Sequence, residues 1–120
     1  MVMPLLQIHS SVQTIEKLTL EEIHREGAKI LSHELGKSLE YVMVVVNAGS
    51  SISFAQDSSK PSAYLEVKNI GELSPAVTAK LSMQLCELIS QKIGVETNRI
   101  YIEYQEAQRH QWGWNGKTFA

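Results

Sequence analysis

The sequence passes twice through the same succession of strand, helix, glycine, short turn and strand, and few folds accept that order. Pro4-Leu5-Leu6-Gln7-Ile8-His9 mixes apolar residues in alternation and reads as a first strand. Proline is tolerated at its first residue, where a missing N–H costs little. After a connection over Ser10 to Leu18, Thr19-Leu20-Glu21-Glu22 fits a capping box, with Glu22 reaching back to the threonine N-cap. Leu20, Ile23, Gly27, Ile30, Leu31 and Leu35 follow at helical spacing, and Gly36 is placed to end the helix in a left-handed conformation. Tyr41-Val42-Met43-Val44-Val45-Val46 is an apolar run of the kind buried on both faces of a sheet.

The second half repeats the order. Asn47 to Lys60, rich in Ser, Gly and Ala, predicts a loop with a hairpin-like excursion around Ile52-Ser53-Phe54. Ala63 to Lys68 alternates and predicts a third strand. Ser74-Pro75 opens a second helix with serine as cap and proline at its first turn. Val77, Leu81, Leu85, Leu88, Ile89 and Ile93 form its stripe, Gly94 ends it, and Ile100 to Tyr104 make a fourth strand. Two right-handed β-α-β units predict one α+β domain over residues 1–120, a four-stranded mixed sheet with two helices on one face. No sequence is left to cover the other face, so the run Tyr41–Val46 predicts that a second copy of the chain covers it.

Charge narrows the function classes. With 11 basic and 13 acidic residues, a formal net charge of −2 gives no electrostatic case for nucleic acid or an anionic membrane. No apolar run approaches the roughly 20 residues that span a bilayer. The start MVMPLLQIHSS lacks the basic, apolar and cleavage regions of a secretory signal, so a cytoplasmic location is the expectation. Cys86, the single cysteine, reads as a buried packing residue. His9, His24, His33 and His110 have no metal-ligand spacing, so no metal is expected, and no Ser/His/Asp or phosphate-loop pattern occurs.

A set of short anchors resembles the macrophage migration inhibitory factor family of the tautomerase superfamily. They are Pro4-Leu5, Gly36-Lys37, Tyr41, Ser58-Ser59-Lys60-Pro61, Ile70-Gly71, Arg99-Ile100-Tyr101-Ile102 and the tail Trp114-Asn115-Gly116-Lys117-Thr118-Phe119-Ala120. Singly each is weak, but they run in family order from Pro4 to the end. The resemblance implies a tautomerase-like fold and a homotrimer with active sites between subunits. It also implies cofactor-free keto–enol tautomerisation of phenylpyruvate-like α-keto acids.

Such a reaction needs a base that takes a weakly acidic C–H proton, and a base works well when its pKa lies near the ambient pH. Free α-amino groups sit at about 7.7–8.0, and burial beside a cation lowers them further. By resemblance the base is an amino-terminal proline, matched by Pro4, and Lys37 matches the lysine that lowers its pKa and holds the substrate carboxylate. Ile70 matches a backbone N–H donor to the same carboxylate, and Tyr101 matches a tyrosine supplied by the neighbouring subunit. Trp112, Trp114 and Phe119 fall where the family forms an apolar wall for an aryl ring. Without the resemblance, Lys37 would read as a surface cation at a helix C-terminus, and the tryptophans as packing anchors.

Two departures bear on function, and Lys68 and Asn69 also differ from mammalian residues at the rim of the site. Glu103 stands where mammalian members carry a pocket asparagine, which adds a negative charge on the same strand face as Tyr101. The mammalian CxxC is replaced by Ser62-Ala63-Tyr64-Leu65, which removes the case for thiol–disulfide chemistry. Met1-Val2-Met3 also precedes Pro4, and an internal proline nitrogen is a tertiary amide without basicity. Catalysis therefore predicts a natural start at Met3 followed by its removal. A leader that stays attached predicts instead a non-catalytic, trimeric interaction or signalling protein.

Overall fold

The computed structural model describes residues 4–120, so the leader lies outside the described residues. A first β-α-β unit comprises β1 (Leu5–Ser10), α1 (Lys17–Leu35) and β2 (Met43–Asn47). A second comprises β3 (Ala63–Ile70), α2 (Pro75–Ile93) and β4 (Ile100–Ala107). Strands are parallel within each unit, and the units join through the antiparallel pair β1–β3. The mixed sheet therefore has the order β2-β1-β3-β4.

Both helices lie on one face, over a core of Leu6 and Ile8 from β1, Leu65 and Val67 from β3, Ile23 and Leu31 from α1, and Leu81, Leu85 and Ile89 from α2. Apolar burial of this kind contributes roughly 25 cal/mol per Å². α2 starts as its sequence predicts: the Ser74 hydroxyl accepts from Val77 N–H at 3.2 Å, with Pro75 in the first turn. Gly36 and Gly94 close the helices at φ 65° and 71°. In this left-handed region a Cβ is penalised.

The start of α1 differs from the expected capping box. The helix begins at Lys17 with Glu16 in the cap position and no side-chain cap bond, so Thr19 lies within its first turn. Ile15 packs against the core just ahead of it, and Leu20 N–H already bonds Glu16 carbonyl at 2.9 Å. Tertiary anchoring has overridden a good local cap signal.

The second strand also differs. Ser38 caps a short 3₁₀ turn at Leu39–Tyr41, and β2 begins only at Met43. It is an edge strand, with Met43 63% exposed, so it is not buried on both faces within the chain. The helix-free face of the sheet is polar over its middle and apolar at the β2 edge, where Leu5, Met43 and Val45 share it. Gln7 and His9 on β1, Glu66 and Lys68 on β3, and Glu103 and Gln105 on β4 share it by register and alternation. The uncovered apolar surface expected from the run Tyr41–Val46 is therefore confined to the β2 edge of that face.

The excursion after β2 is a tight turn in which Phe54 and Asp57 exchange backbone hydrogen bonds of 3.1 and 3.0 Å. Ala55 and Gln56 form its tip at φ 52° and 63°. The tail folds into a two-stranded ribbon, β5 (Gly113–Trp114) against β6 (Lys117–Thr118), turned by Asn115-Gly116. Asn-Gly is well suited to the positive φ values such a turn needs. No described helix is long and apolar enough to cross a membrane.

Candidate active site

Pro4 lies at the mouth of β1 and is fully buried. Its carbonyl accepts from Met43 N–H at 3.2 Å, which ties it to the start of β2. The 3₁₀ turn swings Tyr41 beside it, and the tail ribbon folds back over both. Pro4, Tyr41, Val42, Met43, Trp112 and Trp114 line a cavity of about 420 Å³, with Glu40 at its edge. Tyr41 meets Trp114 edge to face at 5.9 Å and 81°, and Trp114 stacks on Phe119 at 6.0 Å and 12°. Phe119 is held by its N–H, which lies 3.3 Å from the carbonyls of both Arg109 and Trp112. The result is an apolar, aromatic hollow with the proline at one wall, suited to the face of an aryl ring.

Lys37 and Ile70 stand at the same end of the sheet. Lys37 follows Gly36 and is half-buried; its N–H donates to Ser32 carbonyl at 3.0 Å, and its own carbonyl accepts from the Ser32 hydroxyl. It does not line the cavity, which begins three residues later at Glu40. Ile70 is buried at the end of β3, two residues beyond Lys68, the partner of Leu5.

Tyr101 and Glu103 are not brought to Pro4 by their own chain. Tyr101 pairs with Tyr64, and Tyr64 with His9, four residues along β1 from Leu5. At about 3.3 Å per residue Tyr101 is set roughly 16 Å along the strand direction from Pro4, and Glu103, level with Gln7, roughly 10 Å. Tyr101 is 66% exposed and packs edge to face on Phe54 at 5.0 Å. The Tyr64 hydroxyl lies 3.2 Å from Glu66 Oε2 and 3.3 Å from Glu103 Oε1. Burial, then the two carboxylates, push the Tyr64 phenol up to about 12.

Two residues that the sequence offers only as anchors of the resemblance have structural roles that it does not disclose. Tyr41 was read as a strand residue; its signal was an aromatic side chain in a short helix-to-strand connection. Arg99, almost wholly buried, organises the loop between β2 and β3. Its guanidinium donates to the carbonyls of Phe54 (3.3 Å), Asp57 (2.7 Å), Lys60 (3.3 Å) and Pro61 (3.0 Å) and to the Ser62 hydroxyl (3.1 Å). A larger hollow of about 660 Å³, lined by Ser11, Gln13, Ser50, Ser59 and Lys60 among others, contains none of the expected site residues. Among the described residues no group of three His, Cys, Asp or Glu is placed to hold a metal ion.

Comparison with known proteins gives the frame for this hollow. The family model for macrophage migration inhibitory factor matches residues 3–120. The chain belongs to the macrophage migration inhibitory factor family. A relative named macrophage migration inhibitory factor from Xenopus tropicalis is 30% identical over 92 residues, covering 77% of this chain and 79% of its own. The solved structure of a macrophage migration inhibitory factor homologue from Prochlorococcus marinus is 34% identical, with TM-score 0.86 over 97% of this chain and 99% of that one. The Toxoplasma gondii family member is 25% identical and superposes with TM-score 0.91, over 96% and 99% of the two chains. The four-stranded mixed sheet with two helices is thus the family's tautomerase fold.

Proposed function

We propose that this chain is a cytoplasmic, cofactor-free keto–enol tautomerase of phenylpyruvate-like α-keto acids, working as a homotrimer once Pro4 is its first residue. The observation that carries the reading is the aromatic hollow walled by Pro4. A free proline nitrogen there is a secondary amine in an apolar setting, which disfavours its charged form and leaves a base at neutral pH. The amine takes a proton from the carbon beside the ketone, the electron pair moves into the enolate, and a proton returns to oxygen; the reverse sequence regenerates the ketone. Lys37 and the Ile70 N–H hold the carboxylate, and Trp112, Trp114 and Phe119 receive the ring. The position of Tyr101 at the far end of the sheet, with Glu103 midway along β4, supports a site completed by a neighbouring copy. It suits a neighbour that covers Met43 and Val45 at the β2 edge and leaves the polar middle of the sheet facing the interior. The match of the family model from Met3 onward supports a proline that follows an initiator.

The test compares two proteins verified by intact mass. One begins at Met1; the other is expressed from Met3, with the methionine removed by the host. The second should ketonise phenylpyruvate enol with a pH profile rising through an amine pKa below the ordinary α-amino value, and the first should be nearly inactive. Pro4→Gly should keep part of the activity, and one alanine added ahead of Pro4 should abolish it. Equal turnover by the two proteins would remove Pro4 as the base. A second reading is favoured by Met1-Val2-Met3 ahead of Pro4. A proline acylated in the native protein makes the chain a non-catalytic trimer that acts through its surface, and N-terminal sequencing of native material separates the two.

A further inference from the structure

One polar atom in the interior has no use in the fold. Asn69 is 2% exposed, and its Oδ1 has no hydrogen-bond donor among the described residues. It stands on the helix-side face of β3, where the other inward positions are Ala63, Leu65 and Val67. A buried carbonyl oxygen left without a donor is costly, so such an atom calls for an explanation.

The strand register says what lies beside it. β1 and β3 are antiparallel, and Leu5 pairs with Lys68, so the next position outward sets Pro4 against Asn69. By alternation Pro4 shares its face with Leu6 and Ile8, the same face as Asn69. The Pro4 carbonyl is bonded towards β2, through Met43. Pro4 and Asn69 are therefore a non-hydrogen-bonded pair, the kind whose side chains stand closest. An acylated Pro4 nitrogen carries no hydrogen, whereas a free one carries one, and two when protonated.

We propose that Asn69 is a positioning residue for the Pro4 amine, its Oδ1 accepting an N–H of the protonated proline and fixing the direction of the nitrogen. The inference rests on the reading of Pro4 as a free amine. Acceptance from the charged form favours that form, so Asn69 offsets the depression caused by the apolar hollow and keeps the amine from falling far below neutrality. The other charged or titratable groups near this end are Lys37 after α1, Glu40 and Tyr41 before β2, Lys68 beside Leu5, and Glu106. Glu106 is the β4 partner of Asn69 and is engaged by Leu73 N–H at 2.6 Å.

The test uses the chain beginning at Pro4, which retains every described element, labelled with ¹⁵N-proline. Of its three prolines only Pro4 has a titrating nitrogen. Asn69→Ala should lower the amine pKa by about one pH unit, the size of one lost hydrogen bond to a charged group. Asn69→Ser should restore part of the shift, and Asn69→Asp should raise the pKa above that of the parent. The pH midpoint of kcat/KM on phenylpyruvate should move with each. Asn69→Ala should lower the melting temperature more in the Pro4-first chain than with Met1 to Met3 retained, where the acylated nitrogen has no N–H to give. A folded Asn69→Ala protein whose amine titrates within about 0.3 unit of the parent overturns the inference. So does an Asn69→Asp protein, should the alanine variant not fold, whose amine pKa does not rise. Pro4 shifting as expected without any tautomerisation would instead remove the enzymatic reading and leave Asn69 in place.

Discussion

Replacing Arg99 tests how the loop between β2 and β3 is held. Five acceptors converge on its guanidinium, three of them within 3.1 Å, and its Cζ sits 5.5 Å from the Phe54 ring centroid. A hydrogen bond to a charged group is worth about 1.5–3 kcal/mol, but bonds sharing one donor group do not add. Lys60 and Pro61 are exposed, so water can replace the arginine at part of the cluster. Counting the three short bonds at about 1 kcal/mol each, with about 0.5–1 for the cation–π contact, gives about 4 kcal/mol lost in Arg99→Ala. For a chain of this size that lowers the melting temperature by roughly 10–20 °C. Arg99→Lys keeps the charge but loses the planar fork, and should fall about halfway. Circular-dichroism melts at one fixed protein concentration measure the loss, and limited proteolysis reads the loop directly. If Arg99→Ala melts within about 3 °C of the parent with the loop still resistant, water serves these carbonyls as well as arginine does, and the reasoning fails.

Gly27→Ala should destabilise by about 1–2 kcal/mol despite a gain of about 1 in helix propensity, because the new Cβ would stand 2.9 Å from Leu6 Cδ2 in the closed core; a higher melting temperature would show that Leu6 yields. Because the Tyr64 phenol is raised from 10.0 to about 12, the stability it reflects is complete below pH 10 and lost as pH rises through about 12. Melts across that range should therefore fall less steeply in Tyr64→Phe, and parallel curves would refute the assignment. In the Pro4-first protein, Lys37→Ala should raise KM for phenylpyruvate roughly ten- to a hundredfold, and Glu103→Asn should lower it by removing a like charge; unchanged kinetics in both would place the carboxylate elsewhere.

The frame was legible because it rests on local chemistry. Ser74-Pro75, Gly36 and Gly94 mark helix ends by conformational cost alone, and the alternation of Ala63 to Lys68 marks a half-covered strand. What was misread depended on neighbours. Thr19 lost its cap role to the anchoring of Ile15, and Tyr41–Val46 looked doubly buried because a short apolar run does not disclose that it will lie at a sheet edge. The polar part of the open face was written in the alternation of Tyr64, Glu66 and Lys68, and again of Tyr101, Glu103 and Gln105, but only the register shows that these fall side by side. The aromatic hollow depends on a tail ribbon returning across more than a hundred residues to Pro4, which no local pattern encodes. Asn69 falls at the rim of the site by resemblance, but its burial shows only in the structure.

The placement of Pro4 and Tyr101 at opposite ends of one sheet carries a consequence for ownership of the site. In the proposed ring each chain would lend its proline to one neighbour and its tyrosine to the other, so a damaged chain would spoil the sites it shares without silencing the rest. Two variants that are each inert, one blocked at Pro4 and one lacking Tyr101, would rescue each other when refolded together. With random mixing in equal amounts about a quarter of the junctions would join a sound proline to a sound tyrosine. Activity would then belong to the contact between chains, and dilution past the point of assembly would extinguish it.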